Sequence, residues 1–287
     1  MPDPQEQGGL PGAVRVEEAV EEEGRVDERR ISETLSTLRD LDVGPEPARF
    51  EGHGEGGSAA AVAASIVSVT SGVSAQHAQD VFHSLLLAQL AATAKADRFT
   101  DPAGWYKHHQ SALEQIGWVT SQSDAFTVYD PSKVPYTITT VVTDLMEPVA
   151  TADESALVRR TLRSFTDSSE SAQFVWECPS HAGGKGNFQF ALASGESDES
   201  GVMLRVGRFS FSTKKYVTRL GKELFESDAH FQKSLVTLVL TERVHARLRE
   251  AIAAKLGNRA EGMVAGISLE GLEDADPERD GARPERM

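Results

Sequence analysis

The sequence predicts an α+β protein, within the broad α/β class: an antiparallel β-sheet flanked by helical layers, with disordered acidic tails at both ends. Two observations lead to this fold class. Apolar residues of the middle region first recur about every 3.6 residues, as in helices, and after residue 171 they alternate, as in strands. The charge is uneven as well: residues 1–57 carry 15 acids and 6 bases, residues 257–287 carry 8 acids and 4 bases, and the middle has a net charge of −2.

Both ends of the chain lack the residues that build a hydrophobic core. Residues 1–57 contain one aromatic residue, Phe50, and residues 257–287 contain none. Such segments cannot bury enough apolar surface to offset a chain entropy of about 1–2 kcal/mol per residue. We therefore predict a single core domain over residues 58–256, between an acidic, mostly disordered tail at 1–57 and another at 257–287.

Two apolar patterns interrupt these tails. The first follows helical spacing within residues 26–42, and it fits either a short helix packed on the protein's own core or a helix that docks on a partner. The second lies within residues 263–272. We expect a second copy of the chain or another protein to bind through 26–42 or 263–272. The residues of the first pattern are Ile31, Leu35, Leu38 and Leu41.

The segment Ser74–Ala96 predicts a helix that Ser74 caps and that is apolar around most of its circumference. Two alternatives remain open for such a helix. It is either central and fully buried, or a segment that enters a membrane after a conformational change. Under the second alternative, its candidate membrane-contact residues are Val81, Leu85 and Leu86.

Three further helices are predicted: one that opens at Asp101-Pro102, one over Ser155–Phe165 and one over residues 241–256. Two apolar stretches fit a helix or a strand equally well, residues 59–73 and residues 231–240. Short apolar runs do not separate these alternatives, because a buried strand and a buried helix segment are apolar on every side.

The strand-forming half of the core contains a predicted antiparallel meander of Ala172–Cys178, Phe188–Leu192 and Val202–Phe211. In the last of these, the apolar positions change from even to odd residue numbers at Gly207, which predicts a β-bulge there. Tyr136–Val142 is rich in β-branched residues and alternates, so it also predicts a strand.

One spacing suggests a metal site. His77, Asp80 and His83 follow one another at three-residue intervals and span about 120° of the predicted helix. With a fourth ligand from elsewhere they are candidate metal-ligating residues, but the exposed side of a helix has the same spacing. The chain lacks hydrolase and nucleotide-binding signatures, which favours a protein without catalytic residues or a bound cofactor.

Two features bear on membranes and reactivity. Cys178 is the single cysteine, so no intramolecular disulfide can form. It is a lipidation site, a catalytic nucleophile or a small buried residue. A basic cluster follows the last strand of the meander; it fits either a solvated face or contact with anionic headgroups, at about 1 kcal/mol per charge. The net charge of −15 argues against nucleic acid as a partner. The basic membrane-contact candidates are Lys214, Lys215, Arg219 and Lys222.

The first residues, MPDPQEQGGLPG, lack the basic and apolar regions of a secretory signal. No stretch reaches the roughly 18–20 apolar residues of a spanning helix. We expect a protein that is cytoplasmic as synthesised, with export that needs no cleaved signal peptide as the alternative.

A family resemblance rests on residues 155–212. A helix over Leu157–Phe165, the loop Thr166–Ser171 and then the stretches AQFVW, NFQFALASG and GVMLRVGRFSFS are similar to the central part of the cytolytic (Cyt-type) δ-endotoxins. The resemblance implies an antiparallel sheet between two helical layers, with apolar helices that can leave the sheet and contact lipid.

Three hypotheses about function follow. The first is a non-enzymatic protein with a Cyt-like core that acts on membranes or self-assembles. The second is a cytosolic interaction or scaffold protein that docks through its tail segments. The third is a metal-assisted enzyme that uses His77, Asp80 and His83.

Overall fold

A computed structural model describes residues 28–29, 31–41, 43, 58–131, 134–167, 181–182, 184–195, 201–214 and 224–269. The strands in these ranges are β1 (Ala59–Val62), β2 (Ser65–Val69), β3 (Trp118–Ser123), β4 (Thr127–Val128), β5 (His181–Ala182), β6 (Lys185–Gly195), β7 (Val202–Ser212), β8 (His230–Leu240) and β9 (Val264–Gly266). The helices are α1 (residues 31–40), α2 (Ala75–Thr93), α3 (Pro102–Gln115), α4 (Ile138–Met146), a 3-10 turn (Glu147–Val149), α5 (Ala152–Asp167), α6 (Glu242–Leu256) and α7 (Arg259–Met263).

One mixed sheet in the order β3-β8-β7-β6-β2-β1-β9 forms the centre of the fold, with β4 also paired to β8 and β5 to β6. The described strand pairs are antiparallel, apart from β2 and β6, which run parallel. The predicted α/β class is therefore confirmed. The departure from a purely antiparallel sheet arises because the β1–β2 hairpin enters beside β6.

Helices cover both faces of the sheet. α2, α3 and α6 pack on one face through apolar residues such as Leu85, Leu113 and Leu248. α4 and α5 pack on the other through residues such as Val142 and Leu162. We call these the α2 face and the α4 face. Because both faces are buried, alternate residues of β6, β7 and β8 enter two separate cores.

The predicted β-bulge at Gly207 is wrong. β7 pairs without a register shift with β6 and with β8 across this position. Val202 and Val206 enter the core of the α2 face, whereas Phe209 and Phe211 enter the core of the α4 face. The change from even to odd positions therefore marks a change of face, which a sheet buried on both sides allows.

The predicted strand at Tyr136–Val142 is also wrong, because most of it belongs to α4. Thr137 caps this helix with a capping box: its side chain accepts from the backbone N–H of Thr140, whose side chain accepts from the Thr137 backbone N–H. The buried residues of α4 also follow helical spacing, and together these features outweigh the strand preference of β-branched residues. The buried residues are Ile138, Val141, Val142 and Met146.

Several other predictions are settled. α2 is confirmed as a buried helix, with the Ser74 side chain accepting a hydrogen bond from the His77 backbone. Of the stretches left open, residues 59–73 contain the β1–β2 hairpin and residues 231–240 are strand β8. The predicted strand Ala172–Cys178 lies outside the described residues.

The ordered core extends into both predicted tails. α1 packs on the core through Ile31 and Leu38, and Thr34 Oγ1 donates to the carbonyl of Gln115 at 3.1 Å. At the other end, β9 pairs with β1 and buries Ala265. The described sheet therefore continues past residue 256, because the acidic segment 257–287 contains a short apolar stretch that forms β9. The division of the chain into one core domain and two tails stays a prediction.

Candidate functional site

The predicted metal-ligating residues lie where α2 faces α6. Asp80 is 1% exposed, and Arg249 donates from Nε to its Oδ1 at 2.8 Å and from Nη2 to its Oδ2 at 2.7 Å. The same Nη2 donates to Glu242 Oε1 at 2.9 Å, and His77 Nε2 lies 3.2 Å from Glu242 Oε2. His245 Nε2 lies 3.6 Å from Asp80 Oδ1. We call these five residues the Asp80 cluster.

The structure brings together two of the three predicted ligands. The ligand atoms of His77, Asp80 and Glu242 lie within 4.8 Å of one another, and His83 does not belong to this group. The guanidinium of Arg249 already places a cation between the two carboxylates, so a metal ion would have to displace it. Metal binding by His77, Asp80 and His83 stays a prediction. Glu242, whose carboxylate belongs to this group, fits the position of the third ligand better than His83.

The charges of the Asp80 cluster stabilise the contact between α2 and α6. Burial raises the pKa of Asp80, but the interactions with His245 and Arg249 outweigh burial and hold this pKa well below its usual range. The other ring nitrogen of His245, Nδ1, lies 2.7 Å from the carbonyl oxygen of Ile116. The cluster therefore ties α2 to α6 and to the chain before β3. Burial lowers the pKa of the nearby His83.

The candidate membrane-contact residues of α2 lie inside the protein. Val81, Leu85 and Leu86 are each 0% exposed and belong to the core of the α2 face. Contact with lipid would require α2 to move away from the sheet, so this role stays a prediction. Within the described ranges, no helix combines the length and the apolar character needed to cross a bilayer.

The remaining candidates are mostly beyond the part of the chain that the structure describes. Lys214 is exposed, and its backbone N–H donates to Asp228 Oδ2 at 3.4 Å. The other basic candidates, Lys215, Arg219 and Lys222, and the lipidation candidate Cys178 lie outside the residues that the structure describes.

A second buried charge lies between α3 and the sheet, and sequence reasoning missed it. Arg208 of β7 is 5% exposed. Its guanidinium donates to Ser234 Oγ at 2.9 Å, to Gln110 Oε1 at 3.2 Å and to Ser123 Oγ at 3.4 Å. The guanidinium also lies 5.8 Å from the ring centre of Tyr106. We call these five residues the Arg208 cluster; no carboxylate of the described residues contacts Arg208.

The positive charge of Arg208 acts on its neighbours. His109 of α3 is buried, and burial lowers its pKa to about 3, with Arg208 and Arg98 contributing in the same direction. Burial also lowers the pKa of Arg208, and Asp124 acts in the opposite direction. A buried cation that has neutral hydrogen-bond partners instead of a counter-ion opposes folding of the surface that covers it.

Hydrogen bonds from one tyrosine attach α3 to the sheet next to this cluster. The Tyr106 hydroxyl lies 2.9 Å from the carbonyl oxygen of Phe188 and 3.0 Å from that of Phe209. It also lies 2.8 Å from Asn187 Oδ1. These polar contacts add to the packing of the buried Trp105 and Tyr106 rings in holding this end of α3.

A signal for the Arg208 cluster was present in the sequence. The even positions of β7 change from Val202, Leu204 and Val206 to Arg208 and Ser210, so the side chains that face α3 become polar. The same change at Gly207 was interpreted as a bulge, which would have turned these polar side chains away from the core.

The chain matches no protein-family model and no curated protein sequence. Among solved structures, a delta-endotoxin matches with a TM-score of 0.38 and 9% sequence identity, covering 69% of this chain and 84% of that chain. The match is a weak resemblance at the level of the fold.

Proposed function

We propose that this chain is a non-enzymatic, membrane-active protein in which α2 and α3 move off the sheet at a lipid surface. The observation that carries the proposal is the Arg208 cluster. Arg208 is buried by α3, and its described hydrogen-bond partners are neutral. The closed arrangement therefore keeps a cation out of water without an opposite charge in contact with it, and opening returns it to solvent.

The apolar half of the α2 face supports the same proposal. Beside α2, the core contains Val81, Leu85 and Leu86 on the helix and Val206 and Leu238 on the sheet. Separation in water would expose both surfaces at a cost of about 25 cal/mol per Å² of apolar area. A lipid interface removes much of this cost, because acyl chains can cover the apolar surfaces and anionic headgroups can pair with Arg208.

Dye release and flotation with vesicles test the proposal. The full-length protein is mixed with dye-filled vesicles of phosphatidylcholine, with and without phosphatidylglycerol. We expect co-flotation and release with the anionic vesicles. Failure to float with either composition between pH 5 and 8 contradicts the proposal.

A pair of variants connects this activity to Arg208. Arg208→Met removes the buried charge and stabilises the closed arrangement, so release should fall by about fivefold, the factor for about 1 kcal/mol. Lys107→Met removes the same charge from an exposed position on α3 and is the matched control. Equal dye release by both variants would show that the activity does not depend on the Arg208 cluster.

Self-assembly is a second candidate, and the outer edge of the sheet favours it. β3 pairs with β8 on one side and with no described strand on the other. β3 carries no charged residue, and Val119 is 48% exposed; Val128 of the neighbouring β4 is 69% exposed. Uncharged edge strands are sites where a second chain can pair, although the shift in register between Thr120 and Gln122 limits such pairing.

Light scattering tests this second candidate. If copies assemble through β3, Val119→Lys should reduce the molar mass in solution to that of one chain, because charged side chains disfavour pairing at an edge. Val149→Lys changes another exposed valine to lysine, away from this edge, and is the control. A wild-type protein with the mass of one chain at all concentrations contradicts assembly.

A further inference from the structure

The α2 face of the sheet changes character along the strands. Residues paired across β6, β7 and β8 form rungs, and two complete rungs at one end are apolar: Ala191–Val206–Val236 and Ala193–Leu204–Leu238. The next three rungs are polar and contain no acidic residue: Gln189–Arg208–Ser234, Asn187–Ser210–Gln232 and Lys185–Ser212–His230. α3 covers the first polar rung. The other two polar rungs lie where the part of the sheet covered by α3 ends.

An open cavity of about 390 Å³ lies over the last two polar rungs. Phe99, from the connection between α2 and α3, and Pro102, the first residue of α3, line one side of the cavity, and Val128 of β4 also lines it. The floor includes Ser210 and Ser212. This volume falls within the range of about 300–1,000 Å³ that is typical of small-molecule sites.

The cavity is basic in an acidic protein. Its lining includes Arg98, Lys185 and His230, and no acidic residue among those that the structure describes. The chain as a whole has 44 acids and 29 bases. The nearest acids in sequence to Arg98 use their carboxylates locally: Asp97 accepts from the backbone of Phe99 and Thr100, and Asp101 accepts from Gly104.

Arg98 gives the cavity a fixed cation. It is 8% exposed, and its Nη2 donates to the carbonyl oxygen of Asn187 at 2.9 Å and to Asn187 Oδ1 at 3.1 Å. The guanidinium carbon lies 4.6 Å from the ring centre of Trp105. These contacts hold the guanidinium at the wall, so little conformational freedom remains to be lost when an anion binds.

We propose that this cavity binds a phosphate group, carried either by a small phosphate ester or by a lipid headgroup. Phosphate has several acceptor oxygens and a negative charge. Lys185 and Arg98 supply the charge, and the hydroxyls of Ser210 and Ser212 and the amide of Gln232 supply uncharged donors. The site differs from the Arg208 cluster, and a soluble phosphate ester could fill it even if the proposed membrane activity failed.

Calorimetric titration of the full-length protein with glycerol 3-phosphate tests the soluble source, at an ionic strength held constant with chloride. We expect saturable binding that Lys185→Glu weakens by about tenfold or more, the effect of losing one charge-assisted contact. Lys107→Glu makes the same change of charge at an exposed site outside the cavity and should leave the affinity unchanged. Equal weakening by both variants would reduce the effect to net charge and overturn the proposal.

Flotation with phosphatidylcholine vesicles, with and without phosphatidic acid, tests the lipid source. Loss of flotation in Lys185→Glu but not in Lys107→Glu assigns the site to a headgroup, and competition by glycerol 3-phosphate supports the same assignment. Flotation that neither variant changes, together with no binding of glycerol 3-phosphate, overturns the phosphate site but leaves membrane activity standing. Binding of glycerol 3-phosphate without flotation supports the site and contradicts membrane activity.

Discussion

Two of the buried charges on the α2 face, Asp80 and Arg208, differ in how they are neutralised. Asp80 accepts two hydrogen bonds from Arg249, which also contacts Glu242. Arg208 donates to a serine, a glutamine and a second serine, and none of these carries charge. The first arrangement stabilises the contact between α2 and α6 once its charges are buried, whereas the second leaves the contact between α3 and the sheet less stable.

The α2 face therefore has one firm attachment, between α2 and α6, and one weak attachment, between α3 and the sheet. Removing one partner of a buried ion pair leaves the other charge without compensation and is costly. Removing a buried charge that has no counter-ion takes away an unfavourable desolvation. The two clusters therefore predict opposite responses to the same kind of substitution, from arginine to methionine.

The largest expected effect is that of Arg249→Met. Asp80 would remain 1% exposed with its strongest cationic partner removed, so we expect the free energy of unfolding to fall by about 3 kcal/mol. Urea denaturation monitored by tryptophan fluorescence measures the change. Gln76 Nε2 also donates to Asp80 Oδ1, at 3.1 Å. A loss below about 1 kcal/mol would mean that His245 or Gln76 replaces Arg249 as the partner of Asp80, and the contrast between the clusters would disappear.

The next effect concerns pH and His109. Its pKa is lowered from 6.5 to about 3 in the folded protein, so the unfolded chain binds the extra proton first as the pH falls. The contribution of neutral His109 to the free energy of unfolding is complete above pH 6.5 and is lost progressively as the pH falls towards 3. Between pH 6 and 4.5, His109→Gln should lower the slope of unfolding free energy against pH by up to about 1.4 kcal/mol per unit. An unchanged slope would show that protonation of His109 does not contribute to the pH dependence of the unfolding free energy.

A smaller effect is expected for Arg208→Met. The loss of three hydrogen bonds to neutral groups and the removal of a buried cation act in opposite directions. We expect the free energy of unfolding to rise by about 1 kcal/mol, measured as for Arg249→Met. A decrease of more than about 2 kcal/mol would mean that Arg208 is a stabilising residue, and the proposed weak attachment would be excluded.

The smallest effect is a coupling energy between Arg208 and Gln110. Gln110→Ala removes one acceptor of the guanidinium and should cost about 1 kcal/mol in the wild-type background. In the Arg208→Met background, most of this cost should vanish. A double-mutant cycle measures the difference, and strictly additive effects would show that the 3.2 Å contact contributes nothing.

The sequence predicted the parts of the fold that depend on local signals. Ser74 caps α2 as expected, and the four-residue repeat of α6 forms its buried side. The weaker predictions failed where the answer depends on distant residues. Gly207 was assigned a bulge because nothing local shows that α4 covers the second face of β7. Thr137 and Thr140 look like strand residues until their side chains cap a helix.

The candidate sites show the same limit. His77 and Asp80 were identified from their spacing, but Glu242 and Arg249, which complete their cluster, lie more than 160 residues further along the chain. No periodicity connects two such helices. The polar rungs of the α2 face likewise require the register of three strands, because each strand contributes only one polar residue to a rung.

The pairing of β9 with β1 has a consequence for biosynthesis. Ala60 lies opposite Gly266, so the first and last described strands are neighbours although about 200 residues separate them. A nascent chain that ends at residue 256 would have an open edge at β1, with main-chain N–H and C=O groups unpaired. β1 gains this partner only when β9 has left the ribosome, and until then its edge can pair with a neighbouring nascent chain.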